Sequence, residues 1–458
     1  MPNTIGIAHG TCPEHVEWMP DPPRQPSARG KSRSPHNTGD GIPASISTNS
    51  KLTGILHFLC LLRFFAAIDT AFNWMNSIPN IIFTIPRWEV SGVTTVNLNL
   101  AAALRDLGAH CRLLMDEDNR VSCPYDLPSG ISCQGLSGSF QWECLIPSDT
   151  LAAKVRMRRR QAKLRRILAG AGAPVVLIPG YAQAMDIPSG LLGKEVGVLG
   201  VVHSDDETNI GFAVKHGSDW IHCVCVSERV ARRVKASAPW LEPVVIPNGV
   251  PCSCQPPPVR TTDPERPLRV IYAGRLAEKQ KRILDLPEIV EATSQLPIQW
   301  EIAGEGPEAA ALQDRLNTRI QAGTVRWHGS LKRSAVCDLF RQADIMVMLS
   351  AYEGMPMSLL EAMSEGCVPV VSEGCDAGAD LVRSSNAGFV LPTGDLKQFA
   401  HTLEMLARSR ERLAALSAEA WAAIKNGPHN AAAMGAAYHA LILDWLASRP
   451  AGRNDPET

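Results

Sequence analysis

A chain of 458 residues with a formal charge of −1 and a pI near 6.9 has no net field to recruit nucleic acid or an acidic partner. Its 45% hydrophobic and 20% charged residues are an ordinary globular mix, and the length suits two domains, each with its own core. The 13 cysteines contain no C-x-x-C, which argues against a zinc clamp or disulfide framework and favours a reducing compartment.

Residues 1–74 read as an N-terminal extension, either largely disordered or not part of the native protein. The first fifty are rich in Pro, Ser, Gly and Asn, with little to bury. Leu52 to Phe72 is apolar enough to raise the question of a membrane span. His57, Arg63 and Asp69 interrupt it, and a central Arg or Asp costs roughly 2.5–3.5 kcal/mol on insertion scales. The run starts late for a signal peptide, and no small-residue cleavage site follows. Met75 is an alternative translation start, directly before the first regular element.

From Asn80 the pattern becomes strand, loop, helix. Ile81–Ile85 is a compact apolar strand, and Val93, Val96, Leu100, Leu104 and Leu107 share one helical face that Gly108 terminates. Cys111–Met115, Val175–Ile178, Val198–Val202, His222–Val226 and Val244–Ile246 are further predicted strands. This rhythm predicts a parallel sheet with right-handed crossovers in a first domain spanning 75–254. Residues 251–267 form a Pro-rich linker. A second domain, 255–428, repeats the rhythm with strands at Leu268–Ala273, Ile298–Ala303, Val325–His328, Ile345–Leu349, Val368–Val371 and Gly388–Leu391. The tail 429–458 carries Tyr438, Leu441, Ile442 and Trp445 on one helical face, predicted to pack back on the first domain. The fold class is therefore α/β, with two Rossmann-like doubly wound domains facing a central cleft. Ligands of such sheets bind beyond the carboxyl ends of the strands.

The stretch SAYEGMPMSLLEAMSEGCVPVVS, 350–372, puts seven residues between Glu353 and Glu361, among them Gly354, Pro356 and the start of a helix that Gly366 ends. A loop carboxylate, a helix N-terminus and a helix carboxylate then face one space. Helix N-termini attract phosphate and carboxylates suit sugar hydroxyls, so the combination reads as a nucleotide-sugar site. Ser358 with Glu361 also fits a capping box, a purely structural alternative. Against that, Pro356 favours an earlier helix start.

Several ordered blocks resemble the retaining glycosyltransferases of family four, the group 1 glycosyltransferases, which have the GT-B fold. They are Ser91-Gly92 before a helix, VHSDD at 202–206, CVSERVARRV at 225–234, IPNGV at 246–250, IYAGRLAEKQKRI at 271–283, EIAGEGPE at 301–308, VRWHGSL at 325–331 and, most specifically, EGMPMSLLEAMSEGCVPVVS at 353–372. The resemblance covers about Ile81 to Leu446. It implies metal-independent transfer of a sugar from a UDP- or GDP-linked donor, held mostly by the second domain, to an acceptor hydroxyl on the first. No other cofactor and no metal site is expected. The acceptor class it suggests is a glycan or glycolipid of cell-envelope polysaccharide assembly.

The resemblance also assigns roles. Arg275, beside Gly274, and Lys281 would hold the diphosphate, one as a planar fork and the other as a point charge. Lys279 and Arg282 are rivals for the second position. Glu353 would lie against the transferred sugar, and Glu361 would accept from the ribose hydroxyls. Gly354, Met355, Pro356, Met357, Ser358 and Leu359 would line the phosphates and sugar with backbone. Gly92, with Ser91 in place of the family's first glycine, would let the backbone approach the donor. His203 would lie near the reacting sugar, donating to a hydroxyl or carrying a proton. Asp205 and Asp206 would orient it, bind acceptor or cap the next helix.

Residues 154–166 hold eight basic residues in thirteen. They are a solvated helix face, or a peripheral contact with an anionic membrane or a pyrophosphate-bearing lipid acceptor. The expected location is the cytoplasm, in solution or at the inner face of the membrane. The rival functions are a GT-B nucleotide-sugar epimerase and a noncatalytic nucleotide-sugar-binding partner. A dehydrogenase is disfavoured because no G-x-G-x-x-G opens either domain.

Overall fold

A computed structural model of the chain describes residues 79–85, 91–115, 125, 127–135, 162, 164–172, 174–180, 192, 195–253, 263 and 266–449. The extension 1–74 with its apolar run 52–72, and the basic run 154–166 apart from 162 and 164–166, lie outside the described residues. Among the described residues no helix is long and apolar enough to cross a membrane.

Two parallel sheets organise the chain. The first contains β1 (Asn80–Ile85), β2 (His110–Met115), β3 (Ser132–Gly135), β4 (Val175–Pro179), β5 (Val196–Val202), β6 (His222–Cys225) and β7 (Pro243–Val245), in the order β3-β2-β1-β4-β5-β6-β7. The second contains β8 (Leu268–Ala273), β9 (Ile298–Ala303), β10 (Val325–Gly329), β11 (Ile345–Met348), β12 (Val368–Ser372) and β13 (Phe389–Leu391), in the order β10-β9-β8-β11-β12-β13. Both orders reverse beside the first strand of the sheet, between β1 and β4 and between β8 and β11. Those switch points are where doubly wound sheets bind ligands. The strands are almost continuously apolar because helices cover both faces. Strand β3 was not predicted from the sequence. It is four residues long and polar, and it owes its place to pairing with β2.

Among the described residues the first half carries α1 (Gly92–Asp106), α2 (Glu207–His216) and α3 (Glu228–Ser237), besides a helical run at 164–169. Those that follow are α4 (Glu278–Lys281), α5 (Leu286–Ala292), α6 (Ala309–Gln321), α7 (Arg333–Gln342), α8 (Met357–Ser364), α9 (Ala377–Ser385), α10 (Leu396–Arg408), α11 (Arg410–Lys425) and α12 (Ala431–Ser448). Ser91 caps α1 by accepting from the Thr94 N–H. Gly108, at φ 93°, closes its other end while the Ala109 N–H reaches the Leu104 carbonyl.

Helix α12 does not stay with the second sheet. Its Gly435 lies so close to α1 that an added Cβ would sit 2.5 Å from the Ala103 Cβ, and Trp445 lies against Gly197 of β5. The return is fixed by a parallel bridge between Val250 and Asn430. There the Val250 N–H donates to the His429 carbonyl and the Ala431 N–H to the Val250 carbonyl, both at 2.9 Å. The two crossings between the halves therefore run side by side.

Candidate active site

The carboxyl ends of β8 and β11 supply the second half's share of the site. After β8 the chain turns through Gly274 and Arg275 into α4. This is a single turn that ends because Arg282 adopts the left-handed conformation, at φ 49°. Lys281 is the last residue of this turn. From there its Nζ reaches the Glu353 Oε1 at 2.5 Å. The lysine side chain is 16% exposed and the glutamate 8%, so the pair is largely withdrawn from water. Ala351 donates its N–H to the Gln280 carbonyl at 2.7 Å, which ties the loop after β11 to the same turn. Of the rivals, Lys279 is exposed and Arg282 is held by Asp285 at 2.7 Å. Arg275 is exposed at the strand end and makes no ion pair among the described residues, while its carbonyl accepts from the Tyr272 hydroxyl.

Helix α8 begins at Met357 with Pro356 as its cap residue, one position earlier than a proline usually stands. Ser358 therefore lies inside the first turn and the capping box does not form. Glu361, 9% exposed, instead accepts from the Arg333 Nε at 2.7 Å. Burial raises its carboxyl above the ordinary value, and Arg333 opposes that rise. Gly366, at φ 75°, ends α8, and the Cys367 N–H returns to the Ala362 carbonyl.

The first half faces these groups across the cleft. A Cβ on Gly92 would lie 3.4 Å from the Met357 Cγ, so the N-terminus of α1 meets the N-terminus of α8. A Cβ on Gly354 would lie 3.2 Å from the His203 carbonyl oxygen, so the Glu353 loop rests on the end of β5. The His203 Nε2 is buried and has no hydrogen-bond partner among the described residues. Burial pushes its pKa down to about 4, which keeps the ring neutral at pH 7. A neutral imidazole is suited to hydrogen-bonding a hydroxyl more than to carrying positive charge.

Asp206 caps α2 through the N–H groups of Thr208 and Asn209. Asp205 pairs with the Arg229 Nε at 2.8 Å. The other arm of that guanidinium reaches Asp376 of the second half. Asp376 has φ 47° and ψ −115°, glycine territory that costs another residue about 1–3 kcal/mol.

Sequence reasoning missed Tyr125 and Arg333, which belong to no recognised block. The Tyr125 hydroxyl accepts from the Ser91 N–H and lies 3.2 Å from the Thr95 Oγ1, bracing the Gly92 turn. Both residues line a cavity of about 300 Å³ beside Glu361, with Val250, Pro251, Cys337 and Arg341. Replacing Tyr125 with phenylalanine is expected to lower stability by about 0.5–1.5 kcal/mol, the net worth of an ordinary hydrogen bond. A denaturant titration checks this, and an unchanged midpoint would remove the brace.

The family described as "Glycosyl transferases group 1" matches residues 267–409. A phosphatidyl-myo-inositol mannosyltransferase of Mycobacterium leprae is 31% identical over 354 residues, covering 72% of this chain and 88% of that protein. A lipopolysaccharide 1,6-galactosyltransferase of Salmonella typhimurium is 31% identical over 150 residues, 31% of this chain and only 40% of that protein's length. Among solved structures, Anabaena HepE in complex with UDP and glucose superposes with a TM-score of 0.62 at 14% identity. That likeness covers 80% of this chain and 99% of HepE, and it shows the shared GT-B fold.

Proposed function

The chain belongs to the group 1 glycosyltransferases, and on that premise we propose that it moves a sugar from a nucleoside-diphosphate donor to an acceptor hydroxyl, keeping the anomeric configuration. The observation that carries this reading is the placement of two paired carboxylates, Glu353 with Lys281 and Glu361 with Arg333, at either end of one segment that Gly92 and His203 face. Breaking the bond between sugar and diphosphate leaves negative charge on the phosphate and positive charge on the sugar. Lys281, held by Glu353, and the exposed Arg275 are the cations that would meet the phosphate, and preorganised charge is usually the largest catalytic term. Glu353, already beside Lys281, faces the positive side of the same bond. Glu361 accepts from ribose hydroxyls, and the backbone around Gly354 and the N-terminus of α8 approach the phosphates. The leaving phosphate takes the acceptor proton on the same face of the sugar, while closure of the cleft keeps water out.

The acceptor we propose is a growing glycan or glycolipid, in keeping with the mannosyl- and galactosyltransferases the chain resembles. UDP and GDP are the donor classes to try. Cys111, Cys223, Cys225, Cys337 and Cys375 are free thiols, which suits a cytoplasmic enzyme. A thermal-shift panel of UDP, GDP and their sugars tests the reading. The matching ligand at 100 times its dissociation constant is expected to stabilise by about 2.7 kcal/mol, and transfer to a glycan acceptor should follow with the anomeric configuration kept. A panel with no shift for any nucleoside diphosphate sinks the proposal. Conversion of the donor alone, with the sugar still on the nucleotide, makes the protein an epimerase.

A further inference from the structure

The amino ends of β1, β2 and β3 carry a polar patch on an otherwise apolar sheet. Parallel pairing puts Asn80 beside His110, Ile82 beside Arg112, and Arg112 beside Ser132. Strand residues two apart share a face, so all five lie on one side of the sheet. They line a cavity of about 300 Å³, bordered by Gly130 and Ala171. It lies at the opposite end of the strands from the candidate active site. Arg112 is half-buried there, yet its side chain makes no hydrogen bond or ion pair among the described residues. Among those residues no acidic side chain lines the cavity. The helical run 164–169 ends at its rim, just before Ala171, and carries the exposed Arg165 and Arg166.

We propose that this cavity is a second anion site, separate from the cleft, which takes a phosphate- or diphosphate-bearing group, with Arg112 as its fork and His110 and Ser132 as further donors. A guanidinium carries five N–H donors in one plane, and leaving a partly buried polar group without a partner is costly. The partners that satisfy such a fork best are carboxylate and phosphate. Here a guanidinium, an imidazole and a hydroxyl line one space, more donors than the two oxygens of a carboxylate use. A cavity of this size is also roomy enough for a small ligand. Arg165 and Arg166 add to the positive field at its mouth, which gives the described end of the basic run 154–166 a use. The inference goes beyond the transferase reading and does not rest on it.

The test is a titration of the full chain with inorganic pyrophosphate, followed by the methyl NMR signal of Ile82, identified by its loss in Ile82→Val. Ile82 lines this cavity and not the cleft, so its signal reports the proposed site rather than binding near Arg275 or Lys281. A saturable shift is expected in wild type and, unchanged, in Arg275→Ala. In Arg112→Met it should need at least about tenfold more pyrophosphate, the loss of a charge-assisted hydrogen bond. Arg112→Lys, which keeps the charge and loses the fork, should fall between the two. If Arg112→Met does not fold, His110→Gln takes its place, at an exposed position, and should also weaken binding. No saturable Ile82 shift at millimolar pyrophosphate overturns the proposal. So does a shift that a folded Arg112→Met, or His110→Gln in its stead, leaves unchanged. Vesicles of phosphatidylcholine with and without phosphatidic acid then identify the source. Retention by phosphatidic acid that Arg112→Met abolishes assigns the phosphate to a lipid headgroup; otherwise the pyrophosphate shift assigns it to a free diphosphate. If wild type binds no nucleoside diphosphate in the cleft, the transferase reading fails, and the Ile82 shift still decides this site.

Discussion

Replacing Lys281 with alanine is expected to lower sugar transfer by about 10²–10³-fold, the loss found when one donor to a developing oxyanion is removed. The same change should destabilise the fold by about 3–5 kcal/mol, because it leaves a buried carboxylate without its counter-charge. Both effects follow from one contact, the 2.5 Å approach of the Lys281 Nζ to Glu353. They separate in the double variant Lys281→Ala/Glu353→Gln. Neutralising the orphaned acid should recover most of the stability and none of the turnover. Lys279→Ala is the control, since that side chain is exposed and is expected to change neither quantity. Chemical denaturation and turnover of the four proteins check the prediction. A Lys281→Ala enzyme with wild-type turnover would remove this lysine from the phosphate site.

Replacing Arg333 with alanine should weaken the fold in a pH-dependent way. Burial already raises the Glu361 carboxyl above its ordinary value of 4.5, with Arg333 holding it down. A raised folded-state value means that the stability linked to this residue is fully present below pH 4.5 and is lost as pH rises through the folded value. Removing Arg333 raises that value further and enlarges the loss. The variant is therefore expected to lie about 1–3 kcal/mol below wild type at pH 8, the cost of a buried polar group left unsatisfied, and closer to it at pH 5. Nucleoside-diphosphate affinity should fall as well, because a protonated Glu361 accepts less well from ribose. A difference in melting temperature that is the same at pH 5 and pH 8 would show that the Arg333–Glu361 contact carries no such linkage.

The strands that could be read from the sequence were those whose own residues decide the matter. Ile81–Ile85 and Val368–Val371 are apolar runs bounded by turn residues, and both sit in fully packed sheets. Strand β3 was hidden because Ser132–Gly135 has no apolar pattern and takes its conformation from a neighbour. Glu361 shows why a motif alone is ambiguous. Its spacing from Ser358 fits a cap as well as a ligand, and only the start of α8 at Met357, with Arg333 in range, distinguishes the two. Lys281 was picked out by resemblance, but its direction depends on one residue, Arg282, whose left-handed backbone ends the turn. Tyr125 and Asp376 gave no local signal. Their partners are distant in sequence, and nothing in short-range spacing encodes such meetings.

The bridge between Val250 and Asn430 gives this chain an unusual tolerance. A break in the first crossing would not free the second sheet, because the fragment that follows still carries α12, whose partner is α1 of the preceding fragment. Each piece would bring a recognition element for the other. Two polypeptides divided between Pro251 and Arg266 and expressed together are thus a natural complementation pair, able to rebuild the whole from its parts.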